Sequence, residues 1–491
     1  MMKLLIEIAI IFGIWTILLY IVRKKGGEHF SMVGPLIMWK TEKGRKLIDK
    51  IARKKIWKSY GNLAIIITVV AMILTTWLIA RSVYLSFQIK RTISPRLLIG
   101  LPGINPVIPI WYGIITLALA IIFHEFSHGI LARVAKIKIN SLGLLFLILP
   151  VGAFVEPDEE KLMKEKRIKR ARVFSAGPST NIIIAIVSLL LLAFVFSPAI
   201  SPKEHGVIAG NKIEGIEEWS IITGIEGNRI KSMNDFNKIT NSFEAGKAYN
   251  ITYMKDGKIK NATYVHGIIV LGVVKNSPAE DKIKEGYVIC DINGIKMNNI
   301  TVFQNFMDST NENDEINIHY YYNSDFGNIS LILANKYNFT HEEKDRGRGF
   351  IGVVTGDINS MVVSPSYFIN LYNPFKTKFF IFVSLPFNGL SPFPKELINL
   401  YDFPLQSIFL PLMNFFYWLF WLNFALGTFN ALPAAPLDGG YVFKDGVSWL
   451  IEKLRLKKGE KIVTYITSGI SFMILLAIFS IILIPNLRAL I

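Results

Sequence analysis

The chain has 491 residues, 51% hydrophobic and 19% charged, with a net charge of +17, and its mean hydropathy of +0.39 is too apolar for an ordinary soluble protein. The positive charge comes with no basic-aromatic nucleic-acid motif and sits in short loops beside apolar runs, so membrane topology accounts for it and nucleic acid is excluded as a partner. A single cysteine, Cys290, excludes an intramolecular disulfide and a cysteine-based zinc site.

Leu4 to Val22 predicts a first transmembrane span, roughly 20 apolar residues being the length that crosses about 30 Å of hydrocarbon. The basic cluster Arg23, Lys24 and Lys25 follows this run instead of preceding it, which argues against a cleaved signal peptide. Lys40 to Lys58 is rich in lysine and arginine and predicts a basic helix at the cytoplasmic surface. Asn62 to Ala80 predicts the second span and Ile108 to Val134 the third, which contains the run HEFSH, His124 to His128. Ser141 to Val155 is apolar but interrupted by Gly143, Pro150 and Gly152, too short for a crossing, and predicts a re-entrant hairpin against protein or a wet cavity. Val173 to Phe196 predicts the fourth span and holds AGPSTN, Ala176 to Asn181.

From Ser197 to about Arg348 alternating strands and NG or DG turns predict a soluble β-rich insert. Two stretches within it match at a period of about 67 residues: Ile221 to Tyr253 and Val288 to Tyr322. With Asn276-Ser277-Pro278-Ala279 and Lys284-Glu285-Gly286 in the second, the pattern resembles PDZ domains, expected over 197–265 and 266–348. The resemblance implies peptide termini as ligands of these domains. An aromatic linker over 349–404, with Phe375, Phe379, Phe380, Phe382 and Phe387 among lysines, suits a membrane–water interface. Leu405 to Leu432 predicts the fifth span, and PAAPLDGG, Pro433 to Gly440, leads through a polar helix to a sixth, Ile462 to Pro485. The expected fold is therefore a polytopic α-helical membrane protein of about six transmembrane helices, with a re-entrant hairpin and a tandem PDZ-like insert. Basic loops at 23–60, 135–172 and 444–461 place those loops in the cytoplasm, and both termini and the insert outside. The sequons at Asn250, Asn261, Asn299, Asn328 and Asn338 all lie in the insert, in agreement.

On a helix, His124 and His128 share a face one turn apart, with Glu125 beside them, a spacing that suits zinc. Charged groups at membrane depth cost at least ~2.5 kcal/mol each, so their presence points to function. A catalytic zinc needs a third protein ligand and an open position. His205, His266, His319 and His341 are in the external insert and His29 is in the first basic loop, which leaves an acid, and Asp438 at the cytoplasmic end of the fifth span is best placed. Taken alone, Asp438 could instead cap a helix starting at Gly439. In such a site the metal would activate a water and Glu125 would act as general base.

HEFSH, AGPSTN and FNALPAAPLDGG closely resemble the site-2 protease family of intramembrane zinc peptidases over about 110–196 and 405–485, and the GAFVEPDEE stretch at 152–160 resembles archaeal members. The resemblance implies zinc held by His124, His128 and Asp438, Glu125 as the base, Asn430 binding the substrate backbone, and Asn181 supporting the site or orienting substrate. It also implies a catalytic core split between 108–196 and 405–491, preceded by two amino-terminal spans in 1–107. Substrates would be single-span membrane proteins whose helices unwind before cleavage, and the 141–155 segment could receive the unwound chain by strand addition. Other readings are a membrane-anchored PDZ scaffold with a non-catalytic metal site, a zinc transporter or sensor, and a prenyl-protein-type zinc protease with glutamate as third ligand. Substituting Asp438 with Ala should remove bound zinc, measured as metal per protein; retention would point to the prenyl-type arrangement.

Overall fold

The computed structural model describes residues 2–25, 27, 29–34, 36–41, 43–89, 92–147, 149–210, 213–456 and 458–490. It forms two compact units: one of Met1–Val195, Pro386–Asn388 and Pro411–Ile491, the other of Phe196–Leu385 and Gly389–Leu410. Among the described residues five helices are long and apolar enough to cross a membrane.

The expected first span lies in helix α1, Met2–Lys25. Ahead of the expected basic stretch, strands β1 (Phe30–Val33) and β2 (Leu36–Thr41) form a hairpin that the sequence did not announce, and within that stretch Lys43–Ala52 is a helix, α2. Helix α2 is amphipathic, with Ile48 fully buried against the end of the helix that carries HEFSH, and Asp49 pairs with Arg133 there. The second span is longer than expected, α3 at Ile56–Ser86. The third is α4, Ile110–Val134.

The segment expected as a re-entrant hairpin forms an antiparallel strand pair, β3 (Ile139–Leu147) and β4 (Leu149–Pro157). Strand β2 pairs with β3, so the four strands form one antiparallel sheet in the order β1-β2-β3-β4. Gly143 allows the close approach of β2 and β3, because a Cβ there would lie 1.8 Å from the Trp39 carbonyl oxygen. Pro150 is compatible with β4 because β4 is an edge. A short helix α5 (Glu159–Lys164), capped by Asp158, precedes α6 (Arg167–Leu191), which begins six residues before the expected span and contains Pro178.

The second unit contains two sheets of the same construction. The first orders its strands as Lys258–Val265, Ala248–Lys255, Ser220–Ile225, Val207–Ala209 and Val362–Val363, with helix α7 at Met233–Thr240. The second orders them as Asp325–Ile332, Glu315–Tyr322, Val288–Ile292, Ile268–Val273 and Val353–Gly356, with helix α8 at Ile300–Asp308. Both helices are capped by a side chain, Ser232 and Asn299 accepting from the third backbone N–H. The repeat expected from sequence thus corresponds to two like domains, but their chain path differs from a simple tandem. The closing strand of the first sheet comes from 362–363, so the second domain is nested inside the first, and the stretch expected as an interfacial linker supplies strands to both. A two-residue strand has no periodicity by which sequence could reveal it. Short helices α9 (Tyr337–Thr340), α10 (Pro365–Leu371), α11 (Phe379–Ser384) and α12 (Lys395–Ile398) complete the unit. The chain then forms α13 (Gln406–Asn430), α14 (Asp438–Lys453) and α15 (Gly459–Arg488).

His266 lies where the chain first passes from one β domain to the next and is 2% exposed. Its Nε2–H donates to the Asn298 carbonyl at 2.7 Å, and its ring stands edge-on to Phe243. Burial pulls its pKa below the ordinary value of 6.5, so the folded state keeps it neutral where an unfolded chain would protonate it. Stability is then fully present above pH 6.5 and falls as pH drops through and below that value, by at most about 1.4 kcal/mol per unit, until native His266 itself titrates. Between pH 7.5 and 5, thermal unfolding of the full-length protein should lose more stability than that of a His266→Gln variant; identical pH profiles would contradict this.

Candidate metal centre

The α4 period brings His124 and His128 to one face, and each imidazole is oriented through its other nitrogen. His128 Nδ1 lies 2.7 Å from the Val173 carbonyl oxygen in α6. A carbonyl only accepts, so Nδ1 carries the hydrogen and Nε2 is left with a free lone pair. His124 Nδ1 lies 3.3 Å from Asn181 Oδ1, while Asn181 Nδ2–H donates to the Ala120 carbonyl at 3.4 Å. That second bond turns the amide oxygen toward His124 and selects the same tautomer. Asn181 is fully buried, with its side chain against His124.

Asp438 opens α14. The helix is capped by Leu437 without a side-chain bond, so the Asp438 carboxylate is not spent as a cap. It reaches the histidines instead: Oδ2 lies 3.1 Å from His124 Nε2 and 3.3 Å from His128 Nε2, and the two Nε2 atoms are 3.2 Å apart. Two donor-capable rings and one carboxylate thus form a near-equilateral triangle, the only such cluster of three metal-ligating side chains among the described residues. Ligands about 2.0–2.1 Å from a tetrahedral zinc stand about 3.3 Å apart, so this set fits zinc, with a fourth position left open.

Glycines make the convergence possible. A Cβ at Gly177 would sit 2.4 Å from His128 Nε2 and 2.5 Å from His124 Nε2, and one at Gly439 would sit 2.1 Å from the Ala431 carbonyl oxygen. The glycine of AGPSTN therefore lets α6 close on α4, and Gly439 of PLDGG lets the start of α14 close on the turn after α13. Tyr60 of α3 braces the same turn of α6, its hydroxyl 3.0 Å from Ser179 Oγ and 3.2 Å from the Ala176 carbonyl oxygen.

Glu125 and Asn430, the last residue of α13, line one cavity of about 460 Å³ with the two histidines and Asp438. The Val155 N–H of β4 donates to Glu125 Oε2 at 3.2 Å, which ties this carboxylate to the edge of the sheet. All six residues expected from sequence are thus in or against one site. The Val173 carbonyl, the Val155 N–H and the Tyr60 hydroxyl were not legible, because two are backbone groups and the third begins an apolar run.

The model of the family described as Peptidase family M50 matches residues 112–476. An archaeal protein named uncharacterized protein MJ0971, from Methanocaldococcus jannaschii, is 34% identical over 271 residues, covering 52% of this chain and 69% of its own length. Among solved structures, the PDZ domain of the SdrC-like protein of Listeria monocytogenes aligns at 22% identity, covering 18% of this chain and 87% of its own, with a TM-score of 0.16. The PDZ domain of the corresponding Listeria innocua protein aligns at 24% identity, covering 18% and 92%, with a TM-score of 0.16.

Gly177→Ala places a methyl group where the ligand triangle stands. Zinc affinity, measured by chelator competition, should fall at least about tenfold with the helical content unchanged; undiminished affinity would show that α6 does not press on the site.

Proposed function

The chain belongs to peptidase family M50, whose members are membrane zinc metalloproteases, and from that premise we propose that it is an endopeptidase cutting peptide bonds inside the transmembrane segments of single-span membrane proteins. The observation that carries the reading is the convergence of His124, His128 and Asp438 within 3.3 Å of one another, in a cavity shared with Glu125. His124 Nε2, His128 Nε2 and an Asp438 oxygen would hold the zinc. When bound, zinc supplies an acidified water as nucleophile and a Lewis acid for the scissile carbonyl.

The chain's own residues do the rest. Glu125 takes the proton of the attacking water and returns it to the leaving amine, a role worth about 10²–10⁴ in rate. Its bond to the Val155 N–H holds the carboxylate at the cavity wall. Asn181 and the Val173 carbonyl keep both imidazoles in the tautomer that offers Nε2. Asn430 faces the same cavity and hydrogen-bonds the substrate backbone near the scissile bond.

A substrate helix must unwind before attack, because its carbonyls are bonded internally. Strand β4 is the edge of its sheet, and Val155 and Pro157 line the cavity, so an unwound segment can pair there as an added strand. In this reading α1 is a sixth span and the β3–β4 hairpin is re-entrant. The basic loops set the site toward the cytoplasm and the β region outside. Within the second β domain, edge strand Val353–Gly356 and helix α8 flank a groove with Phe303, Met307 and Ile351. Arg348 and Lys336 stand at the groove but are paired with Asp308 and Asp345, so the apolar lining and the strand edge are what suit a peptide there.

With a co-expressed single-span protein, Glu125→Gln should abolish cleavage, keep zinc content near wild type and retain the uncut substrate on purification. A wild-type protein that holds zinc but cuts no such protein would favour a scaffold instead.

A further inference from the structure

Helices α6 and α14 run antiparallel, joined by side-chain layers one turn apart. In the layer farther from the histidines, Arg170 grips Asp445 with two bonds: Nε–H donates to Oδ2 at 3.1 Å and Nη2–H to Oδ1. The third nitrogen, Nη1, donates to the Met163 carbonyl at 2.6 Å, so the guanidinium is held from both sides. Asp445 is 8% exposed. One turn nearer, Phe174 stacks on Tyr441, ring centroids 4.4 Å apart and planes within 8°. The next turn brings Gly177 and Asp438 to the histidines. On each helix the outer and inner members are seven residues apart, two turns, and so share a face.

This ladder matters because Asp438 stands at the very start of its helix, two turns from Asp445. No side-chain cap bond holds the start of α14, and the carboxylate reaches the histidines from the first residue of the helix. A side-chain atom about 5–6 Å from a helix axis moves about 1 Å when the helix turns by about 10°. Metal–ligand distances tolerate only about 0.2 Å. Something must therefore set the rotation and height of α14. A bidentate, largely buried arginine–carboxylate pair has the directionality for this, and a stacked aromatic pair resists sliding. We propose that Arg170, Asp445, Phe174 and Tyr441 are positioning residues that set α14 against α6, and through it hold Asp438 on His124 and His128. The inference rests on the reading of that triad as a zinc site.

Glu452 provides the internal comparison. It pairs with Arg167 across the same two helices, but its side chain is 66% exposed, and it lies two turns beyond Asp445 on α14. The test measures zinc affinity by chelator competition and the visible absorption of the cobalt-loaded, full-length protein in detergent. Asp445→Asn should weaken zinc about 10–100-fold and alter the cobalt band, whose shape reports ligand geometry. Glu452→Gln should stay within about twofold of wild type. The exchange Arg170→Asp with Asp445→Arg should recover the cobalt band, as a merely destabilised fold would not. A folded Asp445→Asn protein with zinc affinity within about twofold and an unchanged band overturns the proposal. Should Asp445→Asn not fold, Arg170→Lys keeps the charge and removes the fork, and undiminished affinity there overturns it equally. A wild-type protein that takes up no zinc, with His124→Ala indistinguishable from it, overturns the reading of the site itself and this inference with it.

Discussion

Three acceptor atoms held 3.1–3.3 Å apart among apolar helices are the constraint around which the membrane unit is built. Both imidazole Nδ1–H groups are already satisfied, by Val173 and by Asn181, so the Nε2 lone pairs and the Asp438 oxygen face one another. Such atoms repel unless a proton or a cation lies between them, and burial makes the repulsion expensive. The arrangement persists only if α4, α6 and α14 are held together by packing elsewhere. A buried core of Ile130, Leu131, Ile137, Leu162, Val173 and Ala176 joins the ends of α4 and α6, and the Arg170–Asp445 and Phe174–Tyr441 contacts join α14 to α6.

Close approach is then the second requirement, and it explains which small residues occur where. Gly177 lies against the imidazoles and Gly439 against the turn after α13, and in both places a methyl group would displace a ligand-bearing element. Gly427 has the same part between α13 and α6, where a Cβ would meet the Pro178 carbonyl oxygen at 2.9 Å. The sheet adds an element of different character. Its edge strand β4 lends one N–H to Glu125, so an unpaired strand edge and the acid proposed as base are joined by a single hydrogen bond.

The β unit solves a separate problem. Two domains of one construction share a chain path in which the second interrupts the first, and Val288 and Ile269 of the second enter the core of the first. At the crossing, Asn298 accepts from the Ala245 N–H through Oδ1 and from His266 through its carbonyl, while Asp357 accepts from the Ile300 N–H. Nesting thereby replaces a flexible linker with two buried, hydrogen-bonded crossings.

By itself the sequence determined the chemistry and the lengths. HEFSH within an apolar run, the acid of PLDGG and the apolar stretches later found in α3, α4, α6, α13 and α15 were legible because helical period and hydropathy are local properties of the chain. The duplicated β pattern was legible for the same reason. What only the tertiary structure decided depends on contacts between distant segments. The hairpin Phe30–Thr41 is a strand pair because β3 is there to receive it, a contact with a segment about 100 residues away that no local pattern announces. Val362–Val363 is a strand only because Ile208 and Ala209 present an open edge. Asp438 is a partner of His124 and His128, and not the cap of its own helix, because the ladder from Arg170–Asp445 to Phe174–Tyr441 brings α14 to that depth. A carboxylate's bonding partner is a matter of position to within an ångström, and local sequence specifies identity and direction but not that distance.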